Sequence, residues 1–150
     1  MRCINVASRC STQYRGERLV GSGLNGCQCP YILNICRSPG ITQDQLSRQI
    51  YINKSNVTRQ LAQLADAGFI ERRPNEADKR EVLVYPTQKA LEILPLVQQV
   101  MREWNDYILE GFTEEEKQAL STLLGRVAER AMACVDGMKK EQGETHEKNT

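Results

Sequence analysis

The sequence predicts a mainly α-helical fold with one small β-hairpin, and three observations predict it. Between Ile41 and Ala67, apolar residues recur at helical spacing on two short segments joined by a tight turn. From Phe69 to Tyr85 the pattern changes to two short β-compatible runs separated by a charged tip. After Thr87 come two long amphipathic segments, so helices dominate the predicted fold.

Length and composition are those of one globular domain. The chain has 150 residues, of which 40% are hydrophobic and 26% charged. No apolar run is long enough to cross a bilayer, and the amino-terminal residues lack the apolar core of a secretory signal. We therefore expect a cytoplasmic protein that does not contact membranes.

Charge and histidine content limit the function classes. The net charge is +1, but residues 1–41 hold five lysines and arginines against one acid, and residues 86–150 hold eight against twelve. This asymmetry permits contact with a polyanion without requiring it. The single histidine, His146, lies in a polar tail, so zinc catalysis and a histidine-based triad have no residues to use. We expect no enzyme activity, no metal and no cofactor.

The central segment contains helix signals in order. A short apolar helix is expected from Pro30 to Arg37. Thr42 with Gln45 has the spacing of a capping box, in which each side chain satisfies a free backbone N–H of the other. Asn53 can cap the next helix, which ends at Gly68.

The segments that follow predict a hairpin and then two long helices. Strands are expected at Phe69–Arg73 and Glu81–Tyr85. The first long helix begins after Thr87, and Pro95 should kink or interrupt it. The second begins at Thr113, and its apolar face continues for five turns.

The two ends of the chain carry weaker signals. Apolar residues near the amino terminus fit one helix face, but glycines from Gly16 onward should break that helix. Residues 141–150 are wholly polar, which predicts a disordered tail. We therefore divide the chain into an amino-terminal segment 1–29, a central domain 30–86, two helices over 87–140 and a tail 141–150.

Four short motifs resemble one family when taken together. They are the segments PGITQ at 39–43, NKSNVTR at 53–59, AGFIER at 67–72 and DKR at 78–80. On these motifs, residues 30–91 resemble the MarR family of bacterial and archaeal transcriptional regulators. The resemblance implies a winged helix-turn-helix domain at 30–86, with segments 1–29 and 87–140 forming a helical dimerisation arm.

The predicted second helix of the helix-turn-helix carries the candidate base-reading residues. Side chains on the first turns of a helix in the major groove must donate to and accept from base edges. Val57 and Leu61 lie on its apolar face. The polar residues that meet this need are Lys54, Ser55, Asn56, Thr58 and Arg59.

The hairpin supplies a second set of candidate DNA contacts. Arg80 at the tip can enter the minor groove, where negative potential attracts a guanidinium. The resemblance implies that Asp78 pairs with Arg80 and holds the tip in shape. Arg72 and Arg73 on the strand are expected to contact phosphates.

The resemblance also implies partners. A MarR-like protein is a homodimer, so its two reading helices should bind a pseudo-palindromic site on double-stranded DNA. Family members are often repressors released by a small aromatic ligand, which implies a possible small-molecule effector. The alternative is a winged-helix protein-interaction module without specific DNA binding.

Cysteines leave several possibilities open. Cys3 and Cys10 would share one face of a continuous helix, and Cys27 and Cys29 are separated by one residue. These four thiols are candidates for redox sensing or metal sensing, or they have no sensing role. Cys36 and Cys134 lie on apolar helix faces and are expected to be buried and inert.

Overall fold

The computed structural model describes the backbone of residues 1–147 and the side chains of residues 1–138. The chain divides into two compact units, residues 1–108 and the residues from Leu109 onward. The first unit contains α1 (Arg2–Arg18), α2 (Cys29–Arg37), β1 (Ile41–Thr42), α3 (Gln43–Ile50), α4 (Lys54–Asp66), β2 (Ile70–Pro74), β3 (Val82–Pro86) and α5 (Gln88–Ile108). The second contains α6 (Glu114–Glu147).

The three strands form one antiparallel sheet in the order β1-β3-β2. Ile41 pairs with Val84, and Arg72 pairs with the same residue from the other side. The β2-β3 hairpin extends beyond β1 and ends in a tip between Pro74 and Val82. This hairpin is the predicted wing.

The core of the first unit lies between the sheet and helices α2 to α5. Tyr31 of α2 and Phe69 before β2 are its largest fully buried side chains. Leu61 and Leu64 of α4 and Val97 of α5 are also fully buried. Because α5 packs on this core, the first compact unit continues through α5 and ends at Ile108.

The predicted helix caps form. Thr42 and Gln45 make a capping box at the start of α3, and the Asn53 side chain accepts the backbone N–H of Asn56 at the start of α4. Between these helices Tyr51 has a left-handed backbone with φ of 51°. The Ser47 hydroxyl donates to the Ile52 carbonyl oxygen at 2.6 Å and holds this turn.

The prediction that glycines break the first helix is wrong. Helix α1 continues without interruption from Arg2 to Arg18 and includes Gly16. The loop after α1 crosses this helix at Gly26, where a Cβ atom would overlap the Thr12 carbonyl oxygen and lie 2.8 Å from the Gly16 amide nitrogen. Gly26 therefore allows the loop to approach the helix backbone closely.

Helix α5 also continues where an interruption was expected. Pro95 lies inside α5, which runs from Gln88 to Ile108. A proline removes one helix hydrogen bond, but buried Ala90 and Val97 anchor α5 to the core on both sides of it. Tertiary packing keeps the helix in one piece.

The second unit begins with a predicted cap. Glu116 and Thr113 form a reciprocal capping box, with Glu116 N donating to Thr113 Oγ1 at 3.2 Å. Helix α6 extends to Glu147, so residues 141–147 are helical where a disordered tail was predicted, and residues 148–150 lie outside the described residues. Glutamate and glutamine make up four of the seven residues at 141–147, and both favour helices even without an apolar face. Within the described chain, no helix combines the length and hydrophobicity needed to span a membrane.

Candidate nucleic-acid interface

Helix α4 separates a buried face from an exposed one. Val57, Gln60, Leu61 and Leu64 are buried against the core. The opposite face of the first two turns is largely open to solvent. Four predicted reading residues are exposed there and Asn56 is half-buried; the exposed ones are Lys54, Ser55, Thr58 and Arg59.

Side chains of α3 already contact this exposed face. Lys54 Nζ lies 2.6 Å from Asp44 Oδ2, and Gln43 Nε2 donates to Thr58 Oγ1 at 2.5 Å. Arg59 donates to Asn56 Oδ1 at 3.1 Å within α4. These contacts hold the reading side chains in defined positions.

Asp78 holds the backbone and the side chain of Arg80 at the tip of the wing. Asp78 Oδ1 accepts the Arg80 backbone N–H at 3.0 Å and Nε at 3.2 Å, while Oδ2 accepts Nη2 at 3.3 Å. These hydrogen bonds lower the pKa of the Asp78 carboxyl below its ordinary value. The Arg80 side chain is nevertheless 90% exposed, so it is oriented without being covered.

Arg72 and Arg73 lie on opposite faces of the wing. Neighbouring residues of a strand point to opposite sides, and Arg72 pairs with Val84 while Arg73 pairs with Leu83. Arg73 is 2.7 Å from Glu71, and its guanidinium lies over the Tyr85 ring at 4.6 Å. The two arginines therefore cannot both face the same surface. Arg73 is held by an acid and an aromatic ring.

One cleft brings together the wing tip and the start of α4, the candidate reading helix. It has a volume of about 400 Å³, and its walls come from the start of α3, the start of α4 and the wing. Lys54 and Arg80 face it from two sides, and Asp44 and Glu81 add negative charge. The lining residues are Thr42, Gln43, Asp44, Lys54, Arg80, Glu81 and Val82.

Five lining residues were not among the predicted DNA contacts, and three of them have charged or amide side chains. Gln43 and Asp44 look like ordinary first-turn residues of a helix, where an acid favours the helix dipole. Glu81 looks like part of a solvated hairpin. No local pattern reports that they line one cleft with Lys54 and Arg80, because the starts of α3 and α4 meet the wing only after folding.

The predicted cysteine sites are dispersed. Cys3, Cys10 and Cys27 are exposed and Cys29 is buried, so the Cys27–Cys29 pair presents one accessible thiol. Burial raises the pKa of Cys29, which disfavours the thiolate that a metal or oxidant needs. Across the residues that the structure describes, no three histidine, cysteine or acidic side chains group as metal ligands would.

The prediction of buried thiols at Cys36 and Cys134 holds only in part. Cys36 is half-buried, and burial raises its pKa. Cys134 on α6 is exposed, so its predicted burial is wrong for the single chain. An apolar helix face buries its cysteine only if another element covers that face.

Comparisons with known proteins agree with this architecture. The model of the MarR family matches residues 28–82. The HTH-type transcriptional regulator YybA of Bacillus subtilis is 34% identical over 97 residues, which is 65% of this chain; the chain spans 65% of the length of YybA.

Solved structures share the fold over most of the chain. A crystal structure of MarR is 30% identical with a TM-score of 0.75, covering 87% of this chain and 96% of that one. A MarR family regulator from Listeria monocytogenes, complexed with a 26mer DNA, is 28% identical with a TM-score of 0.82, and 88% of each chain is covered. On the family match, the sequence identity and the shared fold, this chain belongs to the MarR family of winged-helix transcriptional regulators, which are not enzymes.

Proposed function

We propose that this protein is a sequence-specific DNA-binding regulator that occupies a pseudo-palindromic operator as a homodimer. The cleft shared by the wing tip and the start of α4 carries this proposal. Because Lys54 and Arg80 face the same opening, one duplex can meet both elements at once. The Listeria relative bound to a 26mer DNA supports the same class of ligand.

The reading helix contacts the major groove in this proposal. Ser55, Thr58 and Arg59 are exposed on its first turns and can hydrogen-bond base edges. Lys54 and Asn56 complete the set, with Lys54 exchanging Asp44 for a phosphate or a base. The hydrogen bond that Gln43 donates to Thr58 and the one that Asn56 accepts from Arg59 orient these side chains before DNA arrives.

The wing contacts the adjacent minor groove and backbone. Arg80 enters the minor groove while Asp78 keeps its orientation. Arg72 is the phosphate contact on the strand, because Arg73 is already engaged by Glu71 and Tyr85. Arg73 therefore serves mainly to stiffen the hairpin.

Homodimer formation would cover the apolar residues that α6 exposes. Leu120, Leu124, Val127, Ala131, Cys134 and Met138 alternate steps of four and three residues, the spacing of a helix seam. Leu124 and Val127 are exposed in the single chain. A second copy of the chain would bury this seam and place two reading helices on the operator.

Regulation in this proposal is repression that an effector relieves. The effector is a small aromatic ligand or an oxidant, and the exposed thiols of Cys3, Cys10 and Cys27 are accessible to the latter. Either agent must bind or modify the free and DNA-bound conformations differently. A regulator of this kind acts in the cytoplasm, where the DNA is.

Binding to the promoter region of its own gene at physiological salt tests the proposal. We expect tight binding that Arg80→Ala weakens by about ten- to a hundredfold, the loss of one good groove contact. Arg102→Ala is the matched control, since it removes an exposed arginine from α5. Fluorescence anisotropy with labelled duplexes measures both.

Other outcomes separate the alternatives. Equal losses of operator affinity in Arg80→Ala and Arg102→Ala would contradict the role of the wing. Weak binding to every sequence that vanishes at physiological salt would favour the protein-interaction module. Peroxide treatment followed by reductant distinguishes the two effectors, because only thiol oxidation gives a loss of binding that reductant reverses.

A further inference from the structure

Two glutamines form a buried polar pair behind the reading helix. Three polar side chains are buried in the described part of the chain: Thr42, which caps α3, and Gln28 and Gln60. Gln28 Nε2 donates to Gln60 Oε1 at 3.2 Å and lies 3.5 Å from Gln63 Oε1. The pair joins the start of α2 directly to the inner face of α4.

A buried amide is retained at a cost unless it has a partner. Leaving one amide of such a pair unsatisfied is strongly unfavourable, whereas replacing both by apolar groups of similar shape is close to neutral. Stability alone therefore does not require glutamine at both positions. A hydrogen bond differs from apolar packing in that it fixes the distance and the orientation of the two groups.

The oxygen of the same Gln28 amide is bonded to the α1–α2 loop. Its Oε1 accepts the backbone N–H of Asn25 at 3.0 Å, and Asn25 Oδ1 accepts the backbone N–H of Cys27 at 3.0 Å. The same loop rests on α1 at Gly26, against Thr12. A short chain of contacts therefore leads from the backbone of α1 to α4.

On α4, Gln60 follows Arg59 and precedes the buried Leu61. Gln60 faces inward, while Arg59 is one of the exposed reading residues. A helix is rigid over this length, so a rotation or shift of Gln60 moves the reading face with it. The position of the Gln28 amide is thus linked to the position of the DNA-reading side chains.

We infer that Gln28 is a positioning residue for DNA reading: its bond to Gln60 sets the orientation of α4 and transmits displacements of the α1–α2 loop to the reading face. This inference rests on the proposed function, since it names how DNA recognition is oriented and regulated. It assigns no DNA contact to Gln28 itself.

Variants at position 28 separate hydrogen bonding from size. Gln28→Met keeps the length of the side chain but removes its donor and acceptor. Gln28→Glu keeps the acceptor for Asn25, and the Gln60 amide can rotate and donate to the new carboxylate. A negative charge is also favourable at the start of α2. Gln28→Met/Gln60→Met leaves neither side-chain amide unsatisfied and should regain the part of the thermal stability that Gln28→Met loses through the unpaired Gln60 amide. The Asn25 N–H loses its acceptor in both variants.

Two measurements decide the outcome. The first is the ratio of operator affinity to affinity for unrelated DNA, and the second is amide hydrogen exchange of α4 in the free protein. In Gln28→Met/Gln60→Met we expect the ratio to fall roughly tenfold, about the loss of one base contact, with faster exchange in α4. Gln28→Glu should stay within about threefold of the wild-type ratio.

A double variant that keeps both the wild-type ratio and the wild-type exchange would overturn the inference. If the double variant does not fold, the comparison of Gln28→Met with Gln28→Glu decides in the same way. If the wild-type protein shows no operator preference, the proposed function fails. Exchange alone then decides: faster exchange in Gln28→Met but not in Gln28→Glu supports the positioning role, and unchanged exchange in both refutes it.

Discussion

Lys54, the first residue of the reading helix, has a carboxylate partner before any DNA is present. Two further cations of the interface are paired in the same way, and the three ion pairs are Lys54–Asp44, Arg73–Glu71 and Arg80–Asp78. DNA must compete with Asp44 for Lys54, whereas Glu71 and Asp78 keep Arg73 and Arg80 in place. The arrangement lowers affinity for DNA of any sequence. It therefore favours discrimination between sequences over the strength of DNA binding.

Replacing Asp44 by asparagine tests whether the carboxylate partner of Lys54 weakens DNA binding. Asp44→Asn releases Lys54 and removes a negative charge from the cleft, so we expect two- to fivefold tighter binding to unrelated DNA and a smaller gain for the operator. The slope of log affinity against log salt should steepen by about one unit. Salt titrations with the two duplexes measure both effects.

Asp66→Asn is the control for Asp44→Asn. It removes an exposed acid at the far end of α4, and any general effect of net charge will appear in both variants. Equal changes in the two variants would contradict a specific role for Asp44.

Local patterns predicted which face of α4 is exposed but not what holds its side chains. The polar positions of α4 followed from helical spacing, because Val57 and Leu61 had to face the core. The bond from Gln43 to Thr58 and the stacking of Arg73 on Tyr85 join residues far apart in the sequence. Such contacts depend on tertiary packing and leave no local signal.

At the scale of elements, the crossing of α1 by its following loop depends on Gly26. Gly26→Ala would place a Cβ against the Thr12 carbonyl and the Gly16 amide, so we expect a loss of about 1–3 kcal/mol in the free energy of unfolding. Both contact atoms belong to backbone, which cannot give way as a side chain can. Urea unfolding followed by circular dichroism measures the loss.

Gly16→Ala is the matched control on the other side of the crossing. Its added Cβ would lie 3.8 Å from the Gly26 nitrogen, an ordinary contact, and alanine favours the interior of α1. We expect unchanged or slightly higher stability. A loss equal to that of Gly26→Ala would contradict the asymmetry of this crossing.

Helix α1 is joined to α5 by a network around Glu103. Arg18 Nη2 lies 2.6 Å from Glu103 Oε2, and the Tyr14 hydroxyl donates to the same oxygen at 3.3 Å. Hydrogen bonds from Gln99 and Arg18 lower the pKa of the Glu103 carboxyl below its ordinary value of 4.5. The network therefore favours the ionised carboxylate.

The lowered pKa of Glu103 predicts a loss of stability in acid. The contribution is fully present above pH 4.5, the ordinary value, and disappears as pH falls through the lower pKa of the folded state. Glu103→Gln should lower stability at pH 7 and lessen its decline below pH 4.5. Urea unfolding at pH 7, 5 and 3 gives the comparison.

Glu110→Gln controls for the loss of any acid, because it replaces an exposed glutamate outside this network. If the free energy of unfolding of Glu103→Gln fell with acid as steeply as that of the wild type, Glu103 would not carry this part of the pH dependence.

At the scale of the whole molecule, the exposed seam of α6 predicts association. We expect a dimer by analytical ultracentrifugation, and Leu124→Glu should shift it toward monomer because a charge in an apolar seam is costly. Operator affinity should fall in parallel, since two linked reading helices bind more tightly than one.

Thr122→Glu adds the same charge on the opposite side of α6 and is the control. Its expected result is an unchanged dimer. A monomeric wild type, or dissociation in both variants, would contradict the role of the seam.

The sequence by itself determined the order of the helices and hairpin strands, the caps and the class of the protein, but not the short strand β1. The Thr42 and Asn53 caps and the spacing of Val57, Leu61 and Leu64 depend on residues three or four positions apart. Interactions at that range are encoded locally, so they can be read from the chain. The continuity of α1 through Gly16 was misjudged, since intrinsic propensity is weak compared with packing.

Only the tertiary structure decided what the elements do together. It placed Lys54 and Arg80 on one cleft and joined Gln28 to Gln60 across 32 positions of the chain. It also exposed Cys134, which helical spacing had placed on an apolar face. Each of these depends on which surfaces meet, and the free energy that selects those surfaces is summed over the whole core and not over any short segment.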